Sequence, residues 1–206
     1  MQTAFATASQ NQLKQWARLT YAKFRLEDAL FLAEGVKVVE ELFKSDWRPE
    51  ALLVLPEKAA FWEKLIAKAI DSVPVYGLTR AEWKKLSQDK EPEGILAVVQ
   101  RKSPPSPASL LQSGTGHLLI CHEIANPQNL GALARTARWF GFSSILLSPN
   151  SVESTNPKVI RASMGSIFHL DVLPDVDLQT LLPEIAKSHV LIGSDVREGV
   201  SPHPPG

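Results

Sequence analysis

Residues 123–141, EIANPQNLGALARTARWFG, decide the fold. An apolar run of strand length, His117-Leu118-Leu119-Ile120-Cys121, precedes them, and another, Ser143-Ser144-Ile145-Leu146-Leu147-Ser148, follows. The stretch is therefore read as the crossover of a β-α-β unit. Asn126-Pro127 favours a turn, Asn129 is placed to cap, and Leu130, Leu133, Ala134, Ala137 and Phe140 recur at helical spacing until Gly141 stops the helix. That spacing predicts a single buried face. Arg135 and Arg138 fall off the apolar stripe, and Asn129 stands at the helix N-terminus, where free N–H groups and the helix dipole favour an anion. A polar turn at the carboxyl end of a strand is where open α/β sheets bind ligands.

Working outward, Ser103-Pro104-Pro105-Ser106-Pro107 breaks every periodicity, because three prolines in four positions remove backbone donors and favour extended geometry. Residues 103–116 are read as a linker between a domain over 1–102 and another over 117–206. Downstream, a helix over 157–164, a strand over 168–172, a helix over 178–187 and a strand over 190–193 extend the alternation into a mostly parallel, doubly wound sheet. The tail 201–206, SPHPPG, suits neither helix nor central strand. Upstream, a loosely packed helix over 9–20 precedes strands over 29–33, 51–55, 73–76 and 95–100. Helices over 36–43, 58–70 and 79–86 alternate with these strands, the last opened by the capping box Thr79-x-x-Glu82. This is a small α/β domain.

A chain of 206 residues with 44% hydrophobic and 21% charged side chains can bury a core. Its 22 basic and 22 acidic residues cancel, so net charge makes no case for nucleic acid. Residues 1–25, however, carry Lys14, Arg18, Lys23 and Arg25 and no acid, whereas 104–206 carry six basic and eight acidic side chains. Such a basic arm fits either phosphate contact or a solvated helix face. Cys121 stands alone, which excludes a disulfide framework and a thiolate metal cluster and fits a reducing compartment. No signal-peptide pattern and no apolar run of membrane length occurs, so a cytoplasmic protein without membrane contact is expected. Cys121-His122-Glu123 cannot form a catalytic triplet among themselves, since neighbours on a strand face opposite ways. Gly114-Thr115-Gly116 precedes a strand where a dinucleotide fingerprint follows one, and the histidines lack metal-ligand spacing.

Asn129, Arg135-Thr136-Ala137 and Phe140-Gly141 together resemble the first signature motif of the SpoU–TrmH family, RNA ribose 2′-O-methyltransferases of the knotted SPOUT class. Residues 156–166, NPKVIRASMGS, are similar to its next signature, and residues 31–37, FLAEGVK, resemble the start of its RNA-binding domain. The resemblance implies S-adenosylmethionine as methyl donor, ribosomal or transfer RNA as partner, no metal, and a homodimer with its pocket near the subunit contact. It assigns Arg135 and Asn129 to catalysis and Arg25, Glu34, Lys37, Lys158, Arg161 and Ser163 to RNA. Two roles stay open for Arg135, general base and phosphate clamp, and two for Asn129, substrate orientation and helix cap. Of the cofactor pocket only Ile192, Gly193 and Ser194 match. Arg197-Glu198-Gly199-Val200 echoes the cofactor loop too soon after the strand, so a C-terminally incomplete SPOUT domain without the knot-forming segment is expected. The competing readings are a non-catalytic RNA-binding protein and a hydrolase-like or redox enzyme using Cys121.

Overall fold

A computed structural model of the protein describes residues 5–87, 89–112 and 116–194. By its contacts the chain divides into two units, Met1–Val176 and Asp177–Gly206. In the first, Ser9 accepts from the backbone N–H of Gln12, whose side chain accepts from the Ser9 N–H, and this reciprocal cap starts α1 (Gln10–Arg18). The expectation of loose packing is corrected here. Leu13, Trp16 and Leu19 are buried with Leu78, Trp83 and Leu86, because the Trp16 ring meets Tyr76 edge-on at 5.4 Å. A further short helix, α2 (Ala22–Glu27), follows where no pattern announced one.

Four strands form the first sheet in the order β1 (Leu30–Glu34), β4 (Ile95–Gln100), β2 (Pro49–Val54), β3 (Val75–Gly77). β4 runs antiparallel to both neighbours, and β2 and β3 are parallel. Strand alternation sorts the side chains into two clusters, with Ile95, Ala97 and Val99 in one and Leu96 and Val98 in the other. α3 (Val36–Leu42) and α4 (Glu63–Ile70) cover the first face, and α1 and α5 (Arg80–Leu86) cover the second. α5 carries the predicted capping box. The helix expected over 58–70 is instead a 3-10 segment, Pro56–Trp62, followed by α4. Trp62 makes the break, with a non-helical backbone and an indole N–H donated to the Glu93 carbonyl at 2.9 Å.

After a short helix within the proline-rich segment, α6 (Pro107–Gln112), the chain enters the second sheet. β5 (His117–Cys121), β6 (Phe142–Leu147) and β7 (Asp171–Leu173) lie parallel in that order. The crossover from β5 to β6 is α7 (Pro127–Trp139), closed by Gly141 at φ 77°, and the return to β7 runs through α8 (Pro157–Ala162) and a 3-10 turn, Ser166–His169. The two sheets share one core, in which the Phe168 ring lies 6.3 Å from Phe31 and 5.6 Å from Trp47.

The inward stripe of α7 is Leu130, Gly131, Ala134 and Ala137. Leu133 and Phe140, expected inside, are exposed, because α8 meets the helix on the Gly131 side and nothing among the described residues covers the other. The second unit contains α9 (Leu178–Ile185), capped by the Asp177 carboxylate. The strand expected over 190–193 is absent. A strand exists only through a hydrogen-bonded neighbour, and residues 190–194 have none among the described residues. Gly114, Thr115, the stretch 197–200 and the tail 201–206 lie outside the described residues. No described helix is long and apolar enough to cross a membrane.

Candidate functional site

The loops at the carboxyl ends of β5 and β6 are tied to each other before either helix begins. Ser148 N–H donates to the Cys121 carbonyl at 3.0 Å, Glu123 N–H donates to the Ser148 hydroxyl at 2.7 Å, and Val152 N–H donates to the Ile124 carbonyl at 2.8 Å. These bonds hold Glu123 in the left-handed region, at φ 46°. From this frame α7 and α8 both start on an asparagine cap followed by proline. Asn126 accepts from the N–H groups of Gln128 and Asn129, and Asn156 accepts from that of Lys158. The cap of α7 is therefore Asn126, not Asn129. Asn129 sits in the first turn with an exposed side chain that makes no hydrogen bond among the described residues, which leaves it free for a ligand.

Arg135 lies six residues farther along, about 9 Å at the rise of a helix. It is exposed and has no ion pair or hydrogen bond among the described residues. Trp139, one turn on and 85% exposed, shares its side of the helix, whereas Leu133 at 37% and Phe140 at 67% lie on another.

α8 contributes a second basic group. Lys158 is exposed and unpaired among the described residues, whereas Arg161 is engaged by Asp89. Ser163 is fully buried and donates to the Ile160 carbonyl at 2.8 Å, so its hydroxyl closes the helix and does not reach the surface. Glu34 lies beside Arg161 at the end of β1. Burial holds its carboxyl above the ordinary range, against a 2.5 Å bond from the Ser87 hydroxyl and the nearby Arg161 charge. Lys37 is apart from this group, spanning Glu40 and Glu41 on the surface of α3. Ile192, Gly193 and Ser194 are exposed, Ile192 at 91%, with open space around Gly193. They present no walls to an adenosyl group.

Arg25 is only 2% exposed, and its guanidinium is spent inside the protein. Its Nε and Nη2 reach Glu153 at 3.1 and 2.8 Å, and Nη1 reaches the Leu19 and Thr20 carbonyls at 3.0 and 3.1 Å. Glu153 also bonds Arg101 and Thr155. Burial pushes the Glu153 carboxyl up, but Arg25, Thr155 and Arg101 outweigh it and leave it below the ordinary range. Glu153 went unremarked in the sequence, because a lone acid in a loop carries no signal until its partners, 128 and 52 residues away, are known. Gly131 is a second such residue. A Cβ there would lie 2.4 Å from Ala162 Cβ and 2.9 Å from two backbone atoms of α8, so only glycine lets the two motif helices touch. Cys121 is buried, and burial raises its thiol, which opposes a nucleophilic role. No metal-holding cluster occurs among the described residues.

A parallel sheet whose first crossover helix carries an asparagine and an arginine unpaired among the described residues, beside a small mixed sheet, defines an α/β protein of the SPOUT methyltransferase fold. Residues 116–203 match the SpoU rRNA Methylase family, and residues 10–97 match the MRM3-like substrate binding domain. The chain thus carries a SpoU methylase domain preceded by an MRM3-like substrate-binding domain. It is 28% identical over 167 residues to the 23S rRNA (guanosine(2553)-2'-O)-methyltransferase RlmP of Bacillus subtilis (strain 168), covering 81% of this chain and 63% of that protein. The rRNA methyltransferase 3, mitochondrial, of Mus musculus is 26% identical over 161 residues, covering 77% of this chain and 38% of that one. The solved structure of a TrmH-family protein from Porphyromonas gingivalis is 27% identical with a TM-score of 0.71, covering 88% of this chain and 68% of that one. The chain thus spans 38% to 63% of the length of these two curated relatives.

Proposed function

We propose that this protein methylates the ribose 2′-hydroxyl of a ribosomal or transfer RNA, with S-adenosylmethionine as the methyl donor. The observation that carries the reading is Arg135, an exposed cation on the motif helix with no partner among the described residues, six positions beyond the open side chain of Asn129. A neutral hydroxyl must lose its proton as it is alkylated. A fixed guanidinium beside it lowers the hydroxyl's pKa and grips the adjoining phosphate with two parallel N–H donors. Arg135 fits this clamp better than a base role, since a guanidinium presents a planar fork of donors and no acceptor for the hydroxyl proton. Asn129 orients the ribose, and Lys158 and Arg161 hold flanking phosphates. Glu34 and Lys37 are assigned to the same RNA surface on family resemblance. The buried positions of Arg25 and Ser163 favour support of that surface over contact with it.

Residues 1–102 form the substrate-binding domain, 103–116 the linker and 117–206 the methyltransferase domain, and the cytoplasm is the assigned compartment. The protein acts as a homodimer. The exposed Leu133 and Phe140, seven residues apart on one side of α7, support this, since a second copy would cover that apolar strip. The exposed setting of Ile192, Gly193 and Ser194 favours the second reading for the 206 residues taken alone, an RNA-binding protein without a finished cofactor pocket.

The test is methyl incorporation into RNA by a form of the protein that binds S-adenosylmethionine and by its Arg135→Ala variant. Activity should be lost while thermal stability stays within about 0.5 kcal/mol, as for an exposed residue without partners. Arg135→Lys should rescue poorly, because it lacks the planar fork. Near-normal turnover in Arg135→Ala would remove Arg135 from the site.

A further inference from the structure

The turn between α1 and β1 exposes aromatic surface that no motif accounts for. Tyr21 is 67% exposed and Leu26 64%. The Tyr21 and Phe24 rings meet nearly perpendicular, with centroids 6.4 Å apart. That contact steadies the tyrosine ring and leaves it open to a third planar group. Two cations flank the pair, with Arg18 Cζ 5.0 Å and Lys23 Nζ 5.8 Å from the Phe24 centroid. Arg18 is committed to Asp28. Lys23 keeps a side chain 75% exposed, and its 3.6 Å approach to Glu27 is a surface pair of little strength.

The position of this patch matters as much as its composition. Thr20, next to Tyr21, lines a shallow recess of about 40 Å³ together with Lys158 and Arg161 of α8. Thr20 thus joins the turn that carries Tyr21 to the recess that Lys158 and Arg161 line. A recess that size holds a water or two and not a nucleobase, so a planar ligand has to lie on the surface. No acid occurs in residues 1–25, so an approaching polyanion meets Lys14 and Lys23 and no repelling carboxylate on that segment.

We infer that Tyr21 and Phe24 form a stacking platform for an unpaired base of the RNA, with Lys23 beside the rings for the adjoining phosphate. This rests on the reading of the chain as an RNA-binding protein. Every base has a π-face, so the platform selects single-stranded character and not sequence. It marks the RNA beside the target ribose as a loop or bulge.

The test is fluorescence anisotropy of the full chain with a labelled unpaired oligoribonucleotide and with a duplex of the same composition, across a salt series. Tyr21→Ala should weaken single-strand binding by about 5-fold or more, the lower end for one lost stacked base, with duplex binding unchanged. Tyr21→Phe should bind within about twofold of the parent, since the ring is kept. Lys23→Gln should reduce the single-strand salt slope by about 0.7, and Tyr21→Ala should leave that slope alone. At 67% exposure Tyr21 can be changed without endangering the fold. If Tyr21→Ala binds single strands like the parent while Lys158→Ala does not, the platform is wrong and the RNA reading stands. If Tyr21→Ala instead alters the sedimentation of the free protein, the patch is a contact between copies and the platform is overturned. If neither RNA binds the parent chain, both readings fall.

Discussion

Replacing Gly131 with alanine sets two effects of known sign against each other. In an exposed helix interior the change would stabilise by about 0.5–1 kcal/mol, because glycine loses more backbone entropy on folding than alanine. Here the added Cβ would sit 2.4 Å from Ala162 Cβ and 2.9 Å from both Ser163 N and Val159 O. Carbon atoms in contact prefer about 3.5–4.0 Å. α7 and α8 would therefore have to part by roughly 1 Å, and two of the three obstructing atoms are backbone, which no rotamer change can move. Overpacking of that kind costs about 1–3 kcal/mol, and two immovable backbone contacts put this site in the upper part of that range, about 2–3, so after an intrinsic gain of about 1 the clash wins by about 1–2 kcal/mol. For a chain of this size that lowers Tm by about 2–8 °C. Calorimetric or fluorescence-monitored melting reads it directly. Ala162→Gly in the same background should restore part of the loss, since it removes the shortest contact and leaves the two backbone ones. A Tm equal to or above that of the parent would refute the close approach of the two motif helices, because only the intrinsic gain would then be visible.

Three further outcomes follow from the same geometry. Glu153→Ala leaves the buried Arg25 guanidinium with only two carbonyls, and unfolding stability should fall by about 3 kcal/mol; an unchanged urea midpoint would show that the Arg25–Glu153–Arg101 network carries no strain across the shared core. Glu41 is held down at about 2 by the Lys37 ammonium first, with Lys44 and His169 adding to it. A carboxylate whose folded pKa is depressed stabilises the fold above its ordinary range and loses that contribution as pH falls from about 4.5 toward 2. The urea midpoint should therefore drop over that window, and Glu41→Gln should flatten the drop; an equally steep acid limb in the variant would sink the assignment. Finally, titration calorimetry of residues 1–206 with S-adenosylmethionine should show no saturable heat at micromolar concentration, since Ile192, Gly193 and Ser194 are exposed with open space about the glycine, and a clear isotherm would overturn that expectation.

The motif region was legible because its signals are local. Pro127 and Gly141 bound α7 in the chain and in the fold alike, and the apolar runs on either side of it are β5 and β6 in parallel register. Capping was legible only in kind. Asn-Pro-Gln-Asn offers two asparagines within four residues, and either type satisfies the rule; the backbone path after Glu123 aims Asn126, not Asn129, at the free N–H groups. The helix face was misread for a similar reason. Leu133 and Phe140 continue the apolar spacing, but periodicity cannot say on which side of two adjacent stripes a partner helix will lie.

By itself, then, the sequence determined the main alternation of strands and helices without α2, α6 or the break at Trp62, the crossover unit with its family motif, and the off-stripe arginine on that helix, since each depends on residues within one turn or one strand of one another. Tertiary structure alone decided that Arg25 is a buried strut to Glu153, that Gly131 is where two helices touch, that Thr20 shares a recess with Lys158 and Arg161 of α8, and that residues 190–193 form no strand among the described residues. Each of these depends on a partner far along the chain. A charge, a missing Cβ or an extended backbone has no fixed meaning until folding brings that partner, or fails to bring it, within a few ångströms.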